Sequence, residues 1–277
     1  MWESKNHDYW NNRGQKFDKD NRLKTISQDF LFNVSVWRVE GYRSMSVIWI
    51  NPNLIQTWSL QQTVSPQGWQ YTFPATDVSF YISSTSTADI ANTFALTLLD
   101  SDYNEVNVLV TPNGRNAVLI TWWTFLRLNA CINASWTASQ WDIYISTSST
   151  NTNWVPPLNE TLWRIIFEDY WTVDSSAERI HNSVYTVPAW KTLFTYNIRA
   201  WLGKNKDAVV YIYIRPFGWV FIENIRYQLY EGNFENALNP LTPIPEKTDI
   251  DFRATTANNA TELTVNTSFI LVDNDKL

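Results

Sequence analysis

From Phe30 onward, apolar and polar residues alternate in short runs separated by Pro, Gly, Asn, Asp and Ser. Strand side chains point to opposite faces with a period of two, so such runs predict half-buried strands. In the first half they fall at 30–36 (FLFNVSV), 44–50, 78–83, 92–100, 104–111, 116–121, 125–132 and 142–147. Beyond them the pattern resumes at 163–173, 183–188, 192–200, 208–216, 220–230, 248–256 and 263–273. No stretch sustains a 3.6-residue period with caps, so long helices are not expected.

The breaks organise the chain. Two connections, LDSDYNEV (99–106) and TPNGRN (111–116), predict an antiparallel meander, the second through a type I′ turn at Asn113–Gly114. The Ser/Thr/Asn-rich segment 146–160, which contains Pro156–Pro157, reads as an interdomain linker. The expected architecture is all-β: an extended arm over 1–28, then two jelly-roll-like β-sandwich domains in series, 29–152 and 153–277. The arm, polar and without periodicity, is expected to order on a neighbouring subunit.

Composition narrows the function. At 44% apolar and 17% charged, the 277 residues suit a soluble globular protein, and a net charge of -6 gives no electrostatic footprint for nucleic acid. The polar N-terminal stretch lacks the apolar core of a secretory signal, and no run is long and apolar enough to span a bilayer, so no membrane role is expected. A single cysteine, Cys131, excludes an internal disulfide framework and fits a reducing cytoplasm.

Catalytic and metal chemistry find little material. With only His7, His181 and Cys131, no zinc-finger set can be assembled, and the P-loop, dinucleotide and HExxH patterns are absent. Cys131 sits in an alternating strand and reads as an inert packed thiol. The carboxylate pairs Glu168/Asp169 and Asp249/Asp251 have the residue types of a glycosidase dyad, but a solvated strand face explains Asp249 and Asp251 equally well. Neither catalytic, cofactor-binding nor metal-binding residues are assigned, no cofactor is expected, and no ligand-binding residues are singled out. The sequons at Asn33, Asn133, Asn159, Asn259 and Asn266 read as chance in an Asn/Ser/Thr-rich chain.

The count that changes the picture is Gly 7 against Trp 16. Ordinary glycine usage would give about 19 in this length. Many tryptophans fall between strands: Trp58, Trp69, Trp122, Trp123, Trp136, Trp141, Trp154, Trp190, Trp201 and Trp219. Glycine adopts positive φ freely, whereas a bulky residue does so at a cost of about 1–2 kcal/mol. Read as glycine, VPAWKT and TNWVPP become ordinary turns. UGA is read as stop, Trp or Gly in different genetic codes, so the preferred reading is that many of these positions are glycine in the natural protein. The alternative is a Trp-rich interface or sugar platform, with Trp190 and Trp219 as its rings.

With glycine at those slots, the stretches 81–118, 125–146, 184–200, 214–221 and 244–256 resemble a group of β-rich virion structural proteins of aquatic tailed phages and large microbial viruses. The resemblance spans most of 30–275 in short pieces. It implies a non-enzymatic minor capsid, head-decoration or fibre-associated protein, assembled in the host cytoplasm and located in the virion. Its implied partners are the major capsid protein or neighbouring copies of itself as a homo-oligomer. A carbohydrate- or receptor-binding module that takes a host glycan is the alternative function, and a glycoside hydrolase or lyase a third.

Overall fold

The computed structural model describes residues 28–277 except 37, 57–59, 67, 136–138, 166–182, 204–205, 231, 238–241 and 258–260. The expected arm lies outside the described residues apart from its last position. Gln28 instead opens helix α1 (Gln28–Ser35), which replaces the strand expected over 30–36. The alternating run also puts Phe30 and Val34 four residues apart on one helical face. Both are buried against Ile270 and Val272, and Phe30 meets Tyr42 edge-on. Phe32, which a strand would bury beside Phe30, is exposed.

Seventeen strands follow among the described residues. They are β1 (Tyr42–Leu54), β2 (Gln62–Thr63), β3 (Tyr81–Ser84), β4 (Phe94–Leu99), β5 (Glu105–Val110), β6 (Val118–Leu119), β7 (Arg127–Asn133), β8 (Ile143–Ser146) and β9 (Thr161–Ile165). After them come β10 (Val184–Thr186), β11 (Lys191–Leu202), β12 (Asp207–Arg215), β13 (Ile222–Tyr230), β14 (Asn233–Ala237), β15 (Pro243–Ile244), β16 (Asp249–Thr256) and β17 (Thr261–Asp273).

The chain is all-β, and among the described residues the strands form four small antiparallel sheets. Sheet I runs β1-β17-β11-β14 with β15 on β11; sheet II runs β10-β16-β12-β13 with β2 on β16. Sheet III is β6-β3-β8-β9 and sheet IV is β5-β4-β7. This is the sheet count of a four-bladed propeller arrangement and not clearly the two jelly-roll-like sandwiches expected. One hydrophobic core joins sheets I and II around Trp49, Leu193, Val210, Phe252, Val265 and Phe269. A second joins sheets III and IV around Phe80, Phe94, Leu96, Leu128, Ile143 and Trp163.

Pairing crosses the boundary expected at 152/153. β1 from the N-terminal half pairs along β17, from Tyr42 opposite Val272 to Leu54 opposite Thr261, while β9 pairs with β8. Segment 146–160, expected as a linker, is the closed end of the β8–β9 hairpin. Thr152 and Val155 exchange both backbone hydrogen bonds, at 2.9 and 3.1 Å, around Asn153 and Trp154 with φ of 51° and 72°. Two central residues with positive φ make a type I′ turn. The expected type I′ turn at Asn113–Gly114 does not form: Asn113 faces Asn116, and of the two only Gly114 has positive φ, at 57°. A Cβ there would lie 3.0 Å from the Cα of Thr87, so glycine is required twice over. The meander also ends at this point, because β5 lies beside β4 whereas β6 joins β3 in another sheet.

Candidate functional site

The densest chemistry lies on the face of sheet II turned away from its core. Strand period two divides β16 cleanly: Ile250, Phe252 and Ala254 enter the first core, and Asp249, Asp251 and Arg253 take the opposite face. Register then lays out rows across the sheet. Arg253 sits opposite Tyr211 on one side and Thr63 on the other, Asp251 lies between Tyr213 and Val184, and Asp249 lies between Arg215 and Thr186. All residues of β16 are buried, so the solvated face expected for Asp249 and Asp251 is corrected. What covers it is the segment around Tyr71 and Phe73, together with Tyr103 and Arg127.

Burying carboxylates is costly unless they are paired and hydrogen-bonded. Asp249 satisfies this rule fully. Its Oδ1 accepts from Arg127 Nε at 2.8 Å and Thr186 Oγ1 at 2.6 Å; its Oδ2 accepts from Arg127 Nη2 at 3.1 Å and from Arg215 Nε and Nη2 at 2.9 and 2.5 Å. A carboxylate offers about four lone-pair sites, so these donors saturate it and leave nothing for a substrate proton. Arg127 is itself spent: Nη1 donates to the carbonyls of Pro74 and Leu126 at 2.7 and 2.8 Å. Burial works against its charge, but the Asp249 hydrogen bonds outweigh that and hold its pKa above the ordinary arginine value. Beside this pair, Asn129 clamps the backbone of Thr186, accepting from its N–H at 3.0 Å and donating to its carbonyl at 2.7 Å.

Asp251 is held less firmly. It accepts from Arg253 Nε at 2.6 Å and from Thr63 Oγ1 at 3.3 Å. Burial pushes its carboxyl up to about 6, with Arg253 and Thr63 opposing. The Asp249/Asp251 pair is therefore a structural element locked into arginines, not two carboxyls facing across an open groove.

Rings and cations alternate along the same face. The Lys247 Nζ lies 5.7 Å from the Tyr103 ring centre, and Arg127 lies 5.9 Å from Tyr103 and 5.2 Å from Phe73. Arg215 sits between Phe73 at 5.0 Å and Phe221 at 4.6 Å, and Arg253 between Phe221 at 5.1 Å and Tyr213 at 4.6 Å. Each cation–π contact contributes about 0.5–2 kcal/mol, more where it is desolvated. Sequence reading missed Arg127, Arg215 and Arg253. The available signal was D-x-D-x-R in 249–253: three charged residues at strand spacing interleaved with core residues, which requires partners from elsewhere.

The other candidate residues lie apart. Cys131 is buried in β7 within the second core. His7, His181, Glu168 and Asp169 fall outside the described residues. Among the described residues no group of three His, Cys, Asp or Glu gathers around a common point that would hold a metal ion.

The tryptophans divide in two. Trp49 and Trp163 lie in strands and are about 1% exposed, while Trp69, Trp122, Trp123, Trp141, Trp154, Trp190, Trp201 and Trp219 range from 38% to 79% exposed. Trp154 and Trp190 hold φ of 72° and 63°, the left-handed region that favours glycine. Trp201 lies within β11, not in a turn, and at the 216–219 turn the positive φ belongs to Gly218 and not to Trp219. Trp58 and Trp136 are outside the described residues.

No known protein family matches the chain, and no curated protein matches it in sequence. Among solved structures, the PBSX exported protein XepA is 8% identical at a TM-score of 0.18, over 92% of this chain and 97% of that one. The structure of infectious bursal disease virus Gx strain is 9% identical at a TM-score of 0.22, over 84% of this chain and 71% of that one. Likenesses this weak carry no argument about fold or function.

Proposed function

We propose that this chain is a structural component of a virion, a minor capsid, head-decoration or fibre-associated protein that acts through protein–protein surfaces. The observation that carries the reading is the β12–β13 connection. Phe217, Trp219, Val220 and Ile222 are all exposed there, an apolar tip on an acidic chain. Contiguous exposed apolar surface marks an interaction site. The ion pair of Arg215, the last residue of β12, with the fully hydrogen-bonded Asp249 anchors the base of this connection, and the two cores are read as two facing-sheet units. The partners proposed are the major capsid protein or further copies of this chain, with location in the particle; neither nucleic acid, membrane nor cofactor enters. The test is Val220→Asp, at a residue 73% exposed, in particles assembled with the variant. The circular dichroism spectrum should be unchanged while incorporation into particles falls at least tenfold; wild-type incorporation would rule out the tip.

A second reading, a carbohydrate- or receptor-binding module, is favoured by a cavity of about 480 Å³ lined by Trp122 and Trp123 with Asp77, Asp100 and Thr124. Aromatic faces beside carboxylates suit a sugar ring. Glycan-array binding that disappears in Trp123→Ala would support it. Glycine at 122 and 123 in the natural chain would remove the platform altogether. We propose that glycine does stand at the left-handed positions 154 and 190, through UGA decoding.

A further inference from the structure

We infer that the cavity between the Tyr71–Phe73 segment and the outer face of sheet II binds a carboxylate carried on an aromatic or other flat apolar body. The cavity holds about 340 Å³, within the range of small-ligand sites, and Tyr71, Thr72, Phe73, Arg215, Phe221 and Arg253 line it.

Charge points to an anion. Arg127 and Arg215 pair with Asp249 and Arg253 pairs with Asp251, and Lys247 stands at the end of the ring series, so the cations on this face outnumber the two carboxylates they pair with. Among the described residues Lys247 has no carboxylate partner, and Arg215 Nη1 has no acceptor, since Nε and Nη2 both go to Asp249. The Arg215 side chain is 28% exposed, whereas its Asp249 partner is 3% exposed, so the open end of this pair is the cationic one.

Geometry narrows the anion. The Arg215 guanidinium is fixed between two rings and anchored from behind, so little freedom remains to be lost on binding. A planar guanidinium favours a planar carboxylate. The ring-lined walls supply apolar area for the ligand body, and the net charge of -6 works against a polyanion. Trp69 also lines the cavity, and the inference uses none of its contacts. It is independent of the virion reading.

The test is a titration of the full chain with benzoate and, separately, with its neutral isostere benzamide, followed through the arginine Nε–H resonances. Saturable shifts with benzoate, and binding at least tenfold weaker with benzamide, are expected. In Arg215→Gln, benzoate should fall to the benzamide level. Equal binding of the two probes, binding of neither, or unchanged benzoate affinity in a folded Arg215→Gln would overturn the inference. The wild-type comparison decides even where that variant fails to fold.

Discussion

Trp190 offers the sharpest test of how sequence and backbone fit together here. Its φ of 63° belongs to glycine's range, and its ring is 73% exposed. Comparing Trp190→Gly with Trp190→Ala removes the ring in both, so lost ring contacts cancel. What remains is the Cβ. Keeping it in the left-handed region costs about 1–2 kcal/mol. Against this, the alanine chain is less flexible when unfolded, an advantage of about 0.4–1 kcal/mol. Glycine should therefore be the more stable by about 0.5–1 kcal/mol. At Trp201, in the extended strand β11, the order should reverse, with alanine ahead by about 0.5–1 kcal/mol. Urea unfolding at equal m-value measures both differences. Trp154, at 72° directly after Asn153 in its turn, should repeat the Trp190 result. Alanine ahead of glycine at both 154 and 190 would refute the claim that these are glycine slots.

Three further outcomes are expected. The Asp251 carboxyl, raised by burial to about 6 from 3.8, keeps a proton in the folded state that the unfolded chain has lost; the stability it contributes is present below about pH 4 and is lost as pH rises through 6. The stability of the wild type relative to Asp251→Asn should thus fall by up to about 3 kcal/mol between pH 4 and pH 7 in urea titrations, and a constant or rising difference would contradict the assignment. Arg127→Ala strands Asp249 with fewer donors at the junction and should cost about 3 kcal/mol, whereas a cost below about 0.5 kcal/mol would mean the pair is dispensable. Trp49 is buried with its indole N–H lacking an acceptor, so Trp49→Phe should cost less than about 1.5 kcal/mol; Trp49→Gly, which empties the space beside Phe252 and Phe269, should cost at least about 4 kcal/mol in thermal or urea unfolding.

Period-two alternation located most strands well, because one face of each is buried: 208–216 became Asp207–Arg215, and 248–256 became Asp249–Thr256. It failed at 30–36, where a short run satisfies both periods and only the packing of Phe30 and Val34 on sheet I chooses the helix. Partner choice was hidden for a different reason. Nothing local states that β1 pairs with β17 more than 200 residues away, so the boundary drawn at a polar segment cut through a hairpin instead. Polarity at 146–160 reflects the type I′ turn and its flanking hydrogen bonds, not a free linker. The arginine–carboxylate face was legible only in part: Asp249 and Asp251 stood out at strand spacing, but their burial depends on Arg127 from another sheet.

Membership of a virus particle, as proposed above, can be measured. Quantitative peptide mass spectrometry of purified virus particles tests it most directly. This chain should be present at a fixed copy number per particle that survives further purification. Its absence from the particles, with the protein recovered free in the lysate, would rule out a virion component.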